Sequence, residues 1–279
     1  MKIVKNSGDI VEFNSDKLKK SLLMSGASIK EVDSILHSIK KQMFEGVSTK
    51  QIYKMAFSLL KKAANSHAAR YNLKEAIRLL GPAGFFFEKY IERIFTSEHY
   101  QTITNLTLQG KCVSHEIDVL IKKNETIAMV ECKYHAGRDV ASDVKVPMYI
   151  LSRFNDIKER NHLIFDKKGI VSKCWIVTNN TFTADAITFA KCAGLNVLSW
   201  NYPVDSNLKT KNDLNSLYPI TCLTTLSSAE KDKLLILDVI LVKEIIDNLD
   251  CLNRIGLSSY RMKNVLKEAS ELCTYSQKE

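Results

Sequence analysis

The sequence lacks the motifs that mark several common protein classes. Its seven cysteines are odd in number and include no CxxC pair, which argues against a zinc ribbon or a disulfide scaffold and predicts reduced thiols. The six histidines are scattered and form no HExxH motif. Neither a Walker loop nor a GxGxxG motif occurs, so ATP hydrolysis is not indicated.

Long hydrophobic runs are also missing. No apolar stretch approaches the roughly 20 residues that span a bilayer, and the lysine-containing, amphipathic N-terminal segment does not resemble a signal peptide. We therefore expect a soluble, cytoplasmic protein with no membrane partner. At 279 residues, the chain is long enough for two or three compact units, each with its own core.

Charge is distributed unevenly along the chain, whose overall net charge is +9. Residues 1–80 carry 15 Lys and Arg against 7 Asp and Glu, whereas residues 81–205 carry 15 against 14 and residues 206–279 carry 10 against 10. The basic excess of the first part suits nucleotide phosphates, the DNA backbone or both. A solvated lysine-rich face is the alternative interpretation.

Three charged residues interrupt two runs that are otherwise typical of β-strands. Asp118 lies in the run 115–121, and Glu131 and Lys133 lie in the run 126–135. Charged side chains are depleted from strand interiors, because removing them from water is costly unless a partner or a metal offsets the cost. Their placement here therefore indicates a chemical role.

The turn between the two runs predicts where these charges meet. If Asn124 and Glu125 form a two-residue hairpin turn, Asp118 lies directly opposite Glu131, with Cβ atoms about 5 Å apart. Because side chains alternate along a strand, Glu131 and Lys133 share one face. Two carboxylates and one ammonium group would then converge on one small area.

This combination suits a magnesium or manganese site. Mg²⁺ prefers one or two carboxylates with several retained waters, and it can polarise a phosphoryl oxygen while acidifying a bound water. Asp118 and Glu131 would hold the ion, and Lys133 would orient the water or stabilise charge on phosphorus. The alternative is a structural ion pair in which Lys133 only neutralises Glu131.

The hairpin and its surroundings resemble the PD-(D/E)xK nuclease superfamily, and more narrowly the Mrr-like restriction endonucleases. The resemblance covers residues 83–205 and rests on the segment 84–95, Gly110, the segment 115–118 with Asp118, and the segment 131–135 with Glu131, Cys132 and Lys133. It implies an α/β fold, a restriction-endonuclease-like mixed sheet flanked by helices. It also implies cleavage of double-stranded DNA that leaves a 5′-phosphate.

A further acid of the site would come from the helix before the hairpin. In the superfamily this helix often supplies a carboxylate, and the matching residue is Glu88, on the flank of the helix's apolar stripe. A surface glutamate is the equal alternative. His115 and His135 flank the motif and could touch phosphate, although partly exposed histidines at strand ends are the commoner case.

The segments after the hairpin complete a β-β-α-β-α-β order. Lys145 and Arg153, on the first of these helices, would face DNA phosphate or water, and Asn179 and Asn180 would form a turn. Helices are predicted at 143–156 and 183–193, and strands at 174–180 and 196–200.

The N-terminal part predicts a small hairpin followed by three or four helices. The hairpin spans residues 2–13 around Gly8, and Asn14 or Ser15 can cap the first helix. This part resembles the ATP-cone domain over residues 1–82, through a pattern that includes Val4, Asn6, Gly8, Phe13, Asp16, Lys17, Leu18, Thr49 and the segment 69–71.

The ATP-cone resemblance implies an ATP or dATP effector. By that resemblance Lys5 and Lys17 hold phosphate, Asn14 and Thr49 contact the nucleotide, and Ile3 and Leu18 flank the base. The sequence departs from the family at Asn6, where a second basic residue is common. A DNA-binding or dimerising wedge without nucleotide is the alternative.

The C-terminal part predicts a polar linker and then short helices. The linker runs from residue 201 to about 219, and helices are predicted at 227–236, 242–249 and 258–273. With turns at 238–239 and 255–257, this segment resembles a helix-hairpin-helix unit. DNA contact and mere helical packing or dimerisation both remain open for it.

Taken together, these patterns predict a metal-dependent DNA endonuclease of the restriction or foreign-DNA defence type with an N-terminal nucleotide-sensing domain. The domains would be 1–82, 83–205 and 206–279. A non-catalytic, nucleotide-responsive DNA-binding regulator and a structure-specific repair or junction nuclease are the alternatives. Cutting both strands usually needs two active sites, so a homo-oligomer is expected.

Overall fold

Two compact units make up the chain. The computed structural model describes residues 1–5, 7–81, 84–138 and 140–274. The helical unit combines Met1–Ile77 with the C-terminal part from Tyr218 on, and the sheet unit is Arg78–Leu217. This division differs from the three domains expected from sequence, since the two ends of the chain belong to one unit.

The secondary-structure elements follow one another in this order. The first part of the chain holds β1 (Lys2–Val4), β2 (Ile10–Glu12), α1 (Ser15–Met24), α2 (Ile29–Gln42), α3 (Thr49–Ala63), α4 (Asn65–Tyr71) and α5 (Leu73–Arg78). The middle part holds α6 (Phe85–Ser97), β3 (Gln101–Gln109), β4 (Ser114–Lys123), β5 (Thr126–Lys133), β6 (Ala141–Ser142), α7 (Lys145–Lys158), β7 (His162–Ile164), β8 (Lys167–Gly169), β9 (Val171–Thr178), β10 (Thr181–Phe182), α8 (Ala184–Cys192), β11 (Asn196–Leu198) and α9 (Leu208–Asn215). The last part holds a short 3₁₀ helix (Ile220–Cys222), α10 (Ser228–Ile236), α11 (Val242–Asp247), α12 (Asp250–Arg254) and α13 (Ser259–Cys273).

A five-stranded mixed sheet forms the centre of the sheet unit. Its strand order is β11-β9-β5-β4-β3, with β3, β4 and β5 antiparallel and β5, β9 and β11 parallel. Helix α7 covers one face, where Ile150 and Phe154 pack in a core with Leu120 and Met129 of the sheet. The predicted mixed sheet flanked by helices is thus present, and it is compatible with a restriction-endonuclease-like fold.

Two parts of the sheet unit differ from the sequence-based expectation. Strand β3 was not predicted, because this edge strand is polar and only Leu108 within it is buried. The segment expected to be a linker instead contains α9, with Leu208 buried. The buried Asn212 side chain donates to the Tyr90 hydroxyl at 2.8 Å and to the Leu217 carbonyl at 2.7 Å, so this helix belongs to the unit's packed interior.

The N-terminal half of the helical unit has the predicted hairpin and helices. Strands β1 and β2 pair antiparallel, and Gly8 adopts a φ of +88° in the turn between them. The Asn14 side chain accepts a hydrogen bond from the Lys17 backbone N–H, which caps α1 as predicted. Capping boxes at Ser28 and Ser48 begin α2 and α3.

The C-terminal helices pack against this N-terminal half. The Arg70 guanidinium donates to the carbonyls of Glu271 and Leu272 at 2.8 and 3.0 Å. The Thr221 hydroxyl donates to the Ala76 carbonyl at 2.6 Å. Of the two alternatives for these helices, packing is what the structure shows, while DNA contact stays a prediction. Among the described residues, no helix is long and apolar enough to cross a membrane.

The turn between β3 and β4 depends on a glycine. The Asp156 carboxylate accepts from the backbone N–H groups of Cys112 and Val113 at 2.8 and 3.2 Å, and from His115 at 2.7 Å. A Cβ at Gly110 would lie 2.1 Å from Asp156 Oδ2 and 2.7 Å from the Val113 carbonyl oxygen. The turn can therefore pack against α7 only because residue 110 is a glycine and has no Cβ atom.

Gly110→Ala should destabilise the sheet unit by about 1–3 kcal/mol, because the added methyl group forces Asp156 out of its hydrogen bonds. Urea unfolding of the purified protein measures the change. Val113→Ala is the matched control, since its side chain is exposed in the same turn. Equal unfolding midpoints for Gly110→Ala and the control would contradict this account of the turn.

Candidate active site and nucleotide pocket

The β4–β5 hairpin follows the predicted register near its turn. Lys123 pairs with Thr126, and the ladder continues to the pair of Val119 and Val130. The predicted pair of Asp118 and Glu131 would come next, but the ladder ends before it, and Asp118 Oδ2 accepts a hydrogen bond from the Cys132 backbone N–H at 2.6 Å. Asp118 thus meets the strand that carries Glu131 through its side chain.

Glu131 is the most deeply buried charged residue of this region, with an exposed fraction of 3%. Its Oε1 atom accepts from Lys133 Nζ at 3.1 Å and from the Arg153 guanidinium. Its Oε2 atom is buried and has no hydrogen-bond partner in the described part of the chain. Burying a carboxylate oxygen without a hydrogen-bond partner costs free energy. A cation bound to Oε2 would offset that cost.

The acids of the site repel one another. Burial, reinforced by the charge of Glu131, raises the pKa of Asp118 to about 7. Burial also raises the pKa of Glu88, and the charges of Glu116 and Glu131 add to that effect. Lys133 opposes both shifts. The structure therefore brings Asp118, Glu131, Lys133 and Glu88 into one electrostatic cluster.

Glu88 reaches this cluster from the start of α6. It is half-buried, and a Cβ built on Gly84 would lie 3.7 Å from Glu88 Oε1 and 3.5 Å from the Tyr134 Cβ atom. The carboxylate thus lies beside the end of β5. This position favours the site acid over the surface glutamate that the sequence left as the alternative.

The donor set fits a divalent cation with retained waters. Across the described ranges, no three His, Cys, Asp or Glu side chains form a ready-made metal cage. Mg²⁺ needs no such cage, because one or two carboxylates and water complete its octahedron. The unpartnered Oε2 of Glu131 and the neighbouring Asp118 carboxylate provide that pair.

The residues after β5 are held by two asparagines. Asn179 accepts from the His135 backbone N–H and donates to its carbonyl, both at 2.8 Å, and Asn180 donates to the Gly137 carbonyl at 2.7 Å. His135 Nε2 lies 2.9 Å from the Ser142 hydroxyl. Asn179 and Asn180 therefore fix the segment that follows Lys133, a role the sequence did not reveal.

The sequence predicted the wrong surroundings for Arg153. It was expected to face DNA phosphate or water, but it contacts Glu131 and the Glu116 carbonyl. Charge patterning on an amphipathic helix marks a cation on the flank without showing which acid it meets. His115, also considered for phosphate contact, is paired with Asp156 at 2.7 Å.

A second site lies within the helical unit. A pocket of about 510 Å³ is lined by all six residues that the ATP-cone resemblance implies: Ile3, Lys5, Asn14, Lys17, Leu18 and Thr49. Asn6, which the same resemblance singled out, lies outside the described residues. The structure thus gathers residues that are up to 46 positions apart in sequence around one cavity.

Basic and aromatic side chains line this pocket, together with the acid Glu12. Lys5 and Lys17 lie at the starts of the β1–β2 turn and α1, and Thr49 begins α3, so the N-terminal ends of two helices add positive potential. Tyr53 and Tyr71 also line the pocket, with ring centroids 5.0 Å apart and nearly parallel planes. Burial raises the pKa of Tyr71 to about 12, so its hydroxyl stays neutral.

Comparison with known proteins identifies the class of the sheet unit. Residues 82–201 match the family model described as restriction endonuclease. With the mixed sheet and the acid–lysine cluster in place, the match indicates a nuclease of the restriction-endonuclease type. Residues 218–273 match a second family model, described as AF1548-like, C-terminal.

A curated relative shows the family of the chain. An uncharacterised protein of Archaeoglobus fulgidus is 30% identical over 181 residues, which cover 64% of this chain and 98% of the relative. The chain belongs to the family of this archaeal protein. The chain is also similar to AF1548, a protein of unknown function with a crystal structure. The two are 28% identical, the match covers 68% of this chain and 97% of the AF1548 chain, and the TM-score is 0.56.

The raised pKa of Asp118 predicts that the metal-free protein becomes less stable as the pH rises. An acid binds its proton more tightly when its pKa rises on folding, so stability falls as pH rises from about 4 to about 7. Asp118→Asn keeps an acceptor for the Cys132 N–H and removes the charge. It should raise the melting temperature at pH 8 with a chelator present, and change it little at pH 4.

The control for this prediction is Asp205→Asn, which alters an exposed acid in the loop between β11 and α9. It should leave the melting temperature unchanged at both pH values. Thermal unfolding followed by circular dichroism measures both variants. An Asp118→Asn protein no more stable than wild type at pH 8 would contradict the electrostatic interpretation of the cluster.

Proposed function

We propose that the sheet unit is a Mg²⁺- or Mn²⁺-dependent deoxyribonuclease that hydrolyses phosphodiester bonds in double-stranded DNA, of the restriction or foreign-DNA defence type. The observation that carries the proposal is the buried Glu131 carboxylate, with Asp118 and Lys133 beside it. One of its oxygens is paired, and the other has no partner among the residues that the structure describes. The match to the restriction endonuclease family supports the same reaction class.

Each residue of the cluster has a separate part in this chemistry. Asp118 and Glu131 would hold the cation, which when bound lowers the pKa of water and withdraws charge from the phosphoryl oxygen. Lys133 keeps a partly exposed ammonium group next to the carboxylates, so it can donate to the attacking water or to the developing negative charge. Glu88, whose pKa is raised, is the third acid beside the reacting groups.

The competing interpretation is a structural ion pair or a silent nuclease fold that only grips DNA. An ion pair explains Lys133 and Oε1 of Glu131, but it leaves Oε2 and the raised pKa of Asp118 without a purpose. Retaining mutually repelling buried acids is costly, since each could be replaced by an apolar residue of similar size. A catalytic metal site accounts for the position of Lys133, for Oε2 of Glu131 and for the raised pKa of Asp118.

Asp118→Ala and Lys133→Ala should each abolish Mg²⁺-dependent nicking of plasmid DNA while leaving DNA retention intact. The first removes a cation ligand, and the second removes the donor to water or phosphate. Plasmid digestion with and without Mg²⁺ measures the activity, and filter binding measures retention. Lys168→Ala, an exposed change in β8 of the same unit, is the control. Equal cutting by the wild type and both variants would refute the assignment of the site.

We infer that the pocket of the helical unit binds an adenine nucleotide, ATP or dATP, that regulates cleavage. Two lysines and two helix N-terminal ends suit a polyphosphate, and the stacked tyrosines and apolar residues suit a base. The cavity of about 510 Å³ lies in the range of small-molecule sites. Cutting of both strands would further require a homo-oligomer.

Replacing both Lys5 and Lys17 with alanine should weaken ATP binding at least tenfold, because the phosphates lose two cationic partners. Titration calorimetry measures the affinity. The control replaces Lys20 and Lys40, which are exposed and do not line the pocket. It removes the same charge, so an equal loss of affinity in the control would indicate a general charge effect and reject the pocket.

A further inference from the structure

Arg153 contacts the most buried acid of the candidate active site from a different element. It lies on α7, whereas Glu131 lies on β5. Ile150 and Phe154, on either side of Arg153 in sequence, belong to the core that α7 forms with the sheet. Packing therefore fixes the helix segment that carries Arg153 against the sheet.

Three groups hold this guanidinium in place. One nitrogen donates to Oε1 of Glu131, and a second donates to the carbonyl oxygen of Glu116 on β4. The Tyr149 ring lies 5.8 Å from the guanidinium carbon, one turn earlier on the same helix. A side chain fixed at both ends of its fork can set the orientation of the carboxylate it binds.

We propose that Arg153 is a positioning residue of the nuclease site, holding Glu131 by Oε1 so that Oε2 is kept for the divalent cation. This inference rests on the proposed function. Lys133 donates to the same Oε1 atom at 3.1 Å, so both cationic side chains occupy one oxygen and neither occupies the other. The fold thus places both cationic side chains on Oε1 and keeps Oε2 for the cation.

Removal of Arg153 should change cation affinity in opposite directions, depending on whether Arg153 acts as a counter-ion or as a positioning residue. If Arg153 supplied only positive charge, removing it would make the site more negative and would tighten Mn²⁺ binding. If Arg153 orients the carboxylate, removing it releases Glu131 and weakens binding in spite of the lost repulsion. Residues that orient metal ligands typically contribute tenfold or more to affinity.

The experiment measures Mn²⁺ binding to the full-length protein without DNA, by the loss of the free-ion EPR signal. Arg153→Met keeps the apolar stem and should weaken binding about tenfold. Arg153→Lys keeps the charge, but one ammonium group cannot span Glu131 and the Glu116 carbonyl as the fork does. It should also weaken binding. Lys168→Met removes an exposed charge from β8 of the same unit and should bind Mn²⁺ like the wild type.

Thermal melts of every variant show whether it is folded at the assay temperature. If Arg153→Met is unfolded, Arg153→Lys decides the question. Wild-type Mn²⁺ affinity in folded Arg153→Lys, or tighter binding in folded Arg153→Met, would overturn the positioning role and leave the metal site standing. Glu131→Gln separates the two proposals, because unchanged Mn²⁺ binding in that variant would overturn the proposed function itself.

Discussion

The burial of one carboxylate constrains how the central sheet and α7 pack together. Glu131 lies on a central strand and is 3% exposed, where an unpaired charge would cost several kcal/mol. Lys133, two residues along the same strand, supplies one partner, and Arg153 supplies another from a helix. The sheet and α7 must therefore pack so that Arg153 reaches Glu131, because the buried charge would otherwise lose one of its two cationic partners.

Other parts of the unit are fixed by contacts of their own. Helix α7 is tied to the β3–β4 turn by Asp156, and that turn has room only for a glycine at position 110. The segment after Lys133 is held by Asn179 and Asn180. An active site that joins a strand, a helix and a loop is accurate only when each is anchored independently.

The helical unit is built from the two ends of the chain, so the sheet unit is inserted in sequence between its halves. The N-terminal half of the helical unit, which carries the pocket, packs against the C-terminal helices through contacts such as those of Arg70 with the last turn of α13.

The sequence by itself determined the local features. Strand alternation and the turn at Asn124 and Glu125 were enough to specify the hairpin register, because both depend on neighbouring residues. Motif resemblance was enough to gather the pocket residues. Only the tertiary structure decided that Arg153 meets Glu131, that α9 packs where a linker was expected, and that the chain ends form one unit. These contacts join residues far apart in sequence, and their energies depend on burial, which no local pattern encodes.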